Sequence, residues 1–551
     1  MCAMLSRSPL VSSVVVALIS GGATLLACSS SSSSGGDTIE DSGSPDGGGS
    51  DVTTSTTLAV TPATANVLTC DTLQFKETGG AGNGAWTVSP SGSIDAKSGL
   101  FTAPNTSPAS PASTITYTEA PASATASVQI ATAFLGAPAT VPDTTNMGGI
   151  GTSYPFEHAF TANGTRVYTA VLGATASGPV VTADIYASND SGKTFTKTAT
   201  YHTGNLTCVT AAVDAANPDI VYLVYYAGHG DSTSNTGTTV RLVVSKDGGK
   251  TFPTEYIVMD SANIQGSFIC PDVTSPSADH VIVAANAFGN NNSEVTTFVS
   301  DSDGANIGPV GTEGVAAAAN PAAPGSIVAA SDTNSAAVID GCSLEDNGQN
   351  ESPRIFSNQS GTACITYWSN FGSCNPADGG TGSSWLIQCS TNNGTTWTAP
   401  KVLASPNTGD QVNYFSGAIS KGGNIAVTYL DNVAGANEVM IAISKDGGKT
   451  FSAPIQYPSA SRAAIVAGSG TSSPVLAWES DTILWLSQTL NASDAPVLVE
   501  DKTCDFGTTW SGAVNAGAYE GTSLLSTSTG MVATGWVRGQ TSTVTIPLSG
   551  N

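Results

Sequence analysis

Charge is scarce in these 551 residues. Asp, Glu, Lys and Arg make up 11% of the chain, with 17 basic side chains against 42 acidic ones and a net charge of −25. So little positive charge argues against nucleic acid or an anionic membrane surface as a partner. Histidine is reduced to four scattered copies and no Cys-x-x-Cys pair occurs, so the spacings needed for a zinc site are missing. The Asp-rich turns could carry a structural Ca²⁺, but none has EF-hand spacing, and no cofactor is expected. Beyond the first 28 residues no stretch of useful length has helical periodicity. Short apolar runs parted by Gly, Asn, Asp and Ser take its place, among them much of the 60 Gly. That pattern predicts an all-β chain.

A repeat organises most of the sequence. SKDGGKTF stands at Ser245–Phe252 and again, letter for letter, at Ser444–Phe451. SNDSGKTF at Ser188–Phe195, STNNGTTW at Ser390–Trp397 and TCDFGTTW at Thr503–Trp510 share its frame, Ser/Thr-x-Asp-x-Gly-x-Thr-Phe/Trp. SDSDGANI at Ser300–Ile307 keeps the Ser and the Gly but not the aromatic. The starts lie 54 to 59 residues apart, except for one gap of 90. A period of that size suggests propeller blades. Each good copy follows an apolar strand. The third residue (Asp190, Asp247, Asn392, Asp446 or Asp505) can accept hydrogen bonds from the turn's own backbone, and the Gly supplies a conformation other residues resist.

The motif resembles the Asp-box (BNR) repeat of sialidase-like β-propellers. In that family the box joins the third and fourth strands of a blade, on the face away from the active site. The boxes are therefore expected to be structural, and chemistry is expected on the opposite face.

Four segments follow from the chain in order. Residues 1–28 read as a signal segment with Arg7 near its start, an apolar stretch from Leu10 to Leu26, and Leu25-Leu26-Ala27-Cys28, which resembles a bacterial lipobox. The resemblance implies lipidation of Cys28 and, from Ser29 after it, a place in the outer membrane of a Gram-negative cell envelope. Residues 29–54 are a Ser/Gly/Asp-rich tether. Residues 55–133 read as a small β domain. The pattern Trp86…Gly92…Gly99-Leu-Phe101-Thr-Ala-Pro104 in it resembles bacterial Ig-like domains, which implies a sandwich acting as a spacer. Residues 134–551 hold the propeller.

Eight apolar hairpins can be counted there: 156–171, 210–226, 271–287, 315–331, 352–368, 415–430, 463–478 and 522–536. They predict eight blades, with seven as the alternative if 315–331 is an insertion. The last blade lacks an outer strand, which 134–146 could supply.

With Cys2 and Cys28 set aside, eight cysteines remain, an even number in an oxidising compartment. Cys364 and Cys389 fall on neighbouring strands. Cys342 and Cys374 flank an insertion, Cys208 and Cys270 hold like positions, and Cys70 and Cys504 are left over.

Sialidases hold the substrate carboxylate with three arginines, use a Tyr nucleophile activated by Glu, and use an Asp acid/base. The propeller has five arginines. Arg354, Arg462 and Arg538 map to the face opposite the boxes, with Tyr414, Tyr519 and Glu520 as candidates for the nucleophile pair. The family's Phe/Tyr-Arg-Ile-Pro signature is absent from the first blade, and Arg354-Ile355 is followed by Phe356. The expectation is therefore a monomeric, surface-anchored lipoprotein whose propeller binds a glycan or a surface protein. The loop between Trp368 and Trp385 is the candidate contact. An exo-α-sialidase, or another glycoside hydrolase with paired carboxylates, is the alternative.

Overall fold

Val221–Gly228, sequence VYLVYYAG, shows why the strands form. Its apolar run is unbroken because both faces of the strand are covered. Val221, Leu223 and Tyr225 enter one core, while Tyr222 and Val224 enter another. Each is at most 2% exposed, and each such side chain contributes about 1.5–3 kcal/mol by burial. The same alternation recurs at Val281–Gly289 and Ile425–Val433, so every core is shared by two sheets.

The computed structural model describes residues 57–142, 158–173, 182–202, 209–228, 238–261, 271–289, 292–304, 307, 328–329, 350–369, 384–404, 413–433, 436–463, 465, 470–492, 495–536 and 543–549. The chain is a β-propeller with a small β domain ahead of it. Among the described residues seven four-stranded antiparallel sheets form the ring, each a simple meander. Their first strands are, in order, His158–Asn163, Val209–Val213, Asp272–Thr274, Asn350–Ser357, Asn413–Ile419, Gly470–Trp478 and Glu520–Thr527. Each first strand touches the next, and the seventh touches the first. The seventh sheet takes its outer strand from Ala139–Thr140, where Ala139 lies opposite Thr545 and Thr140 opposite Val544. Early and late segments thus close the ring, which removes exposed strand edges.

Seven sheets stand among the described residues, the alternative to the eight counted in the sequence. Of the span 315–331, only Val328–Ala329 falls in the described residues, and it is the outer strand of the third sheet, paired with Phe298 and Val299. An outer strand and half a hairpin look alike in sequence. Here it adds to the edge of Asn292–Ser300 that faces away from Val281–Gly289.

The six turns between third and fourth strands repeat one geometry. In the fifth sheet, Gly448 N–H donates to Ser444 Oγ at 2.9 Å and Ser444 Oγ donates to Asp446 Oδ1 at 2.8 Å. Thr450 N–H and Oγ1 donate to the two Asp446 oxygens at 2.9 and 2.6 Å. Asp190, Asp247 and Asp505 receive the same contacts, and Asn392 accepts on Oδ1 and donates to Thr396. The fourth and fifth residues are left-handed in all six copies, from Ser191-Gly192 to Phe506-Gly507. The eighth residue enters the core shared with the preceding sheet, and Ile307 does so where the aromatic is missing.

Residues 57–133 fold into a four-stranded and a three-stranded sheet plus one two-stranded pair, around Phe75, Trp86, Phe101, Tyr117 and Val128. This domain is docked on the sixth and seventh sheets. Leu68 and Ala133 share a core with Trp485, Ala516 and Leu548, and Thr69 Oγ1 donates to Ser511 Oγ at 2.9 Å. Cys70 and Cys504, left over in the sequence reading, are joined in a disulfide across this junction. Spacing could not pair them because docking, not chain proximity, brings them together over 434 residues. Cys364 and Cys389, opposite one another on adjacent strands, form a second disulfide. Cys208, Cys270, Cys342 and Cys374 lie outside the described residues.

Candidate functional site

Antiparallel alternation fixes the site's location. In six of the seven sheets the third strand ends at a box, so the first strand, which runs parallel to it, begins at the opposite end of its sheet, on the face away from the boxes. Asp272 opens the first strand of the third sheet, and Arg354 lies in the first strand of the fourth. Val273 N–H donates to Asp272 Oδ1 at 2.9 Å and Ile355 N–H to Oδ2 at 3.0 Å. Burial raises the pKa of Asp272, and the Arg354 charge and these two donors only partly offset the rise. Burial likewise lowers Arg354, against the pull of Asp272. Arg354 Nη1 also donates to the Pro353 carbonyl at 3.3 Å.

Arg462 sits in a one-turn helix, Ser459–Ala463, and is 5% exposed. Its Nη2 pairs with Glu438 Oε2, and its Nη1 donates to the Asn437 carbonyl at 3.3 Å. Glu438 is itself buried, near the start of the third strand of the fifth sheet. Tyr519 packs against the core of Trp485, Leu498, Ala516 and Ala533. Glu520 is the first residue of the seventh sheet's inner strand, paired with Trp536. Tyr414 is the second residue of Asn413–Ile419. Arg538 lies outside the described residues, as does the span 370–383 of the Trp368–Trp385 loop. The candidates that are described therefore fall in separate sectors of the ring, with Arg354 in the fourth sheet, Tyr414 and the Arg462–Glu438 pair at the fifth, and Tyr519 and Glu520 entering the seventh.

Sequence reasoning missed Asp272 and Glu438. Each is an ordinary acid in an apolar hairpin, and only the register of the neighbouring strand or helix supplies its arginine. It also missed a Tyr–Glu cluster between the first and second sheets. Tyr201 Oη donates to Glu255 Oε2 at 2.8 Å and Tyr225 Oη to Oε1 at 3.2 Å, with Arg241 paired to the same carboxylate. Burial pushes both tyrosines above their usual range, so the phenols stay protonated, the reverse of nucleophile activation.

On the box face Asp214, Asp279 and Asp303 come close enough to share a cation. Asp303 is already bonded to Lys246 Nζ at 2.7 Å and Tyr222 Oη at 2.9 Å, and Asp214 accepts from the backbone of Ala216, Asn217 and Asp279.

No protein-family model and no curated protein sequence matches the chain. Solved structures are similar to it. An α-L-arabinanase of Penicillium chrysogenum aligns at 11% identity over 75% of this chain and 98% of its own, with a TM-score of 0.38. An ulvan lyase of polysaccharide lyase family PL25 aligns at 11% identity over 74% and 95%, with a TM-score of 0.45. An endo-arabinanase of Bacillus licheniformis aligns at 11% over 50% and 92%, with a TM-score of 0.27.

Proposed function

We propose that this chain is a cell-surface lipoprotein, acylated at Cys28 in the outer membrane, whose propeller recognises a carbohydrate at its channel mouth without cleaving it. The turns belong to the Asp-box sialidase-like class, and the leading sandwich is of the bacterial Ig-like kind. One observation carries the reading. Arg462 is paired with the buried carboxylate of Glu438, and Arg354 lies in the field of the Asp272 carboxylate, whose oxygens accept from Val273 and Ile355 N–H. A sialidase needs its guanidiniums turned toward the substrate's carboxylate. Here the same groups form charge-balanced edges suited to hydroxyl recognition.

The test incubates the protein freed of residues 1–54 with a fluorogenic α-sialoside across about pH 4 to 8, and applies it to a glycan array. Retention on particular glycans, weakened at least tenfold by Asp272→Ala, with no turnover, is the expected result. Sialoside turnover lost in Arg354→Ala and Arg462→Ala would overturn it. A second reading has Asp272 in its favour. A carboxyl raised by burial at a channel mouth is equipped as a general acid, so hydrolysis of a bound glycan that is lost in Asp272→Asn would make the chain a glycoside hydrolase.

A further inference from the structure

The junction between sandwich and propeller contains an isolated lysine. Lys502 is wholly buried in Ala495–Thr503, and its Nζ has no hydrogen-bond partner. Two carboxylates flank it, Asp71 Oδ1 of the sandwich at 4.0 Å and Glu479 Oε2 of the propeller at 4.0 Å. Neither distance is a hydrogen bond. The Trp485 ring covers Nζ at 5.1 Å, and Trp485 Nε1 donates to Glu479 Oε2 at 2.7 Å, which fixes that carboxylate. Asp71 follows Cys70 and Lys502 precedes Cys504 by two, so the Cys70–Cys504 disulfide clamps the two segments where amine and acid face each other.

An ammonium left here without a hydrogen bond is costly. Burial acts on both partners in the direction of neutrality. It lowers Lys502 and raises Asp71 to about 6, with the Lys502 charge opposing the rise. An amine without a hydrogen-bond partner, a facing carboxyl and a second, oriented carboxylate in a site closed to solvent on the lysine side are the parts of a condensation.

We propose that Lys502 Nζ and the Asp71 carboxyl condense to a side-chain amide across the junction, with Glu479 carrying the proton. The Nζ lone pair attacks Asp71 Cγ and the C–N bond forms. Glu479 takes a proton from the nitrogen and returns it to the departing hydroxyl. The C–O bond breaks and one water leaves. Nothing is oxidised or reduced, and no co-reactant enters. The amide removes both buried charges and joins the sandwich to the propeller by a bond that survives reduction of the disulfide.

The experiment reduces the purified full chain, digests it with trypsin and reads the peptides by mass spectrometry. The expected species joins the Asp71 and Lys502 peptides at their summed mass less one water, uncleaved after Lys502. It should be lost in Asp71→Ala and reduced at least tenfold in Glu479→Gln, a variant that keeps shape and size. Separate Asp71 and Lys502 peptides at full mass from the wild-type chain would overturn the proposal without reference to any variant. So would undiminished cross-link in Glu479→Gln, for the role given to that residue.

Discussion

The boxes of the fifth and sixth sheets are one turn used in two ways. In both, the acid at the third position accepts from the Thr four residues on and from the opening hydroxyl, at nearly equal distances. They differ at the second position. Lys445 of the fifth box lies over the Phe506 ring of the next, 3.6 Å from its centroid, much as Lys246 reaches Asp303 of the box after its own. In the sixth box that position is Cys504, and the turn becomes the anchor of a second domain. Ser511, just past its end, accepts from Thr69 and Ser107 and donates to Asn105 at 2.7 Å. A turn that satisfies its own polar groups within four residues leaves its second position free for contacts that differ from copy to copy.

The largest test of this comparison removes the anchor. Cys504→Ser in a Glu479→Gln background should destabilise the docked unit by about 2–5 kcal/mol, read from the denaturant midpoint. In the wild-type background the loss should be smaller, because the amide at Lys502 still closes the same loop. Equal losses in both backgrounds would separate the disulfide's effect from the amide's and count against the latter.

A smaller effect separates the two left-handed residues of a box. Gly448 has φ +84°, and a Cβ there would lie 2.6 Å from the disulfide-bonded Cys389 Sγ. Gly448→Ala should cost about 1–3 kcal/mol in thermal unfolding. Gly447, at φ +71°, has nothing within 4 Å of such an atom. Asn393 already holds the same position at φ 57° in the fourth sheet, so Gly447→Asn should stay within about 0.5 kcal/mol.

The comparison also explains what could be read in advance. Ser444, Asp446, Gly448 and Thr450 meet one another inside eight letters, so the pattern alone carries the turn, its acceptor and its glycine. The count of sheets was less legible, because Val328–Ala329 is an outer strand whose partner, Asn292–Ser300, lies beyond a long insertion. The junction could not be read at all. Lys502, Asp71, Glu479 and Trp485 belong to no motif, and only docking makes neighbours of them. The mouth is intermediate. Strand alternation led to the expectation that Arg354 and Arg462 lie on the face opposite the boxes, while the acids near them, Asp272 and Glu438, needed the register between neighbouring elements.

The smallest effect is a titration, and its sign differs between the two regions. At Asp247 burial favours the neutral acid, but hydrogen bonds from Thr251, Ser245 and Lys250 outweigh it and bring the pKa down to about 2. A folded pKa below the unfolded one gives stability that is present above about pH 4 and lost as pH falls toward 2. The advantage of the wild type over Asp247→Asn should therefore shrink across that window. Asp71 goes the other way when it carries no amide. Burial holds it near 6 in the folded chain, opposed by Lys502 and reinforced by Glu479, so its contribution is greatest below about pH 4 and declines as pH rises through 6. Glu479→Gln, with the carboxyl left free, should thus lose stability between about pH 4 and 6, as read by its melting temperature, beyond any change seen in the wild type. In the wild type, the Asp71 carboxyl is part of an amide and has no proton to exchange. A matching loss in the wild type over that window would mean that Asp71 is still an acid, and that the junction is held by the disulfide and the packed core alone.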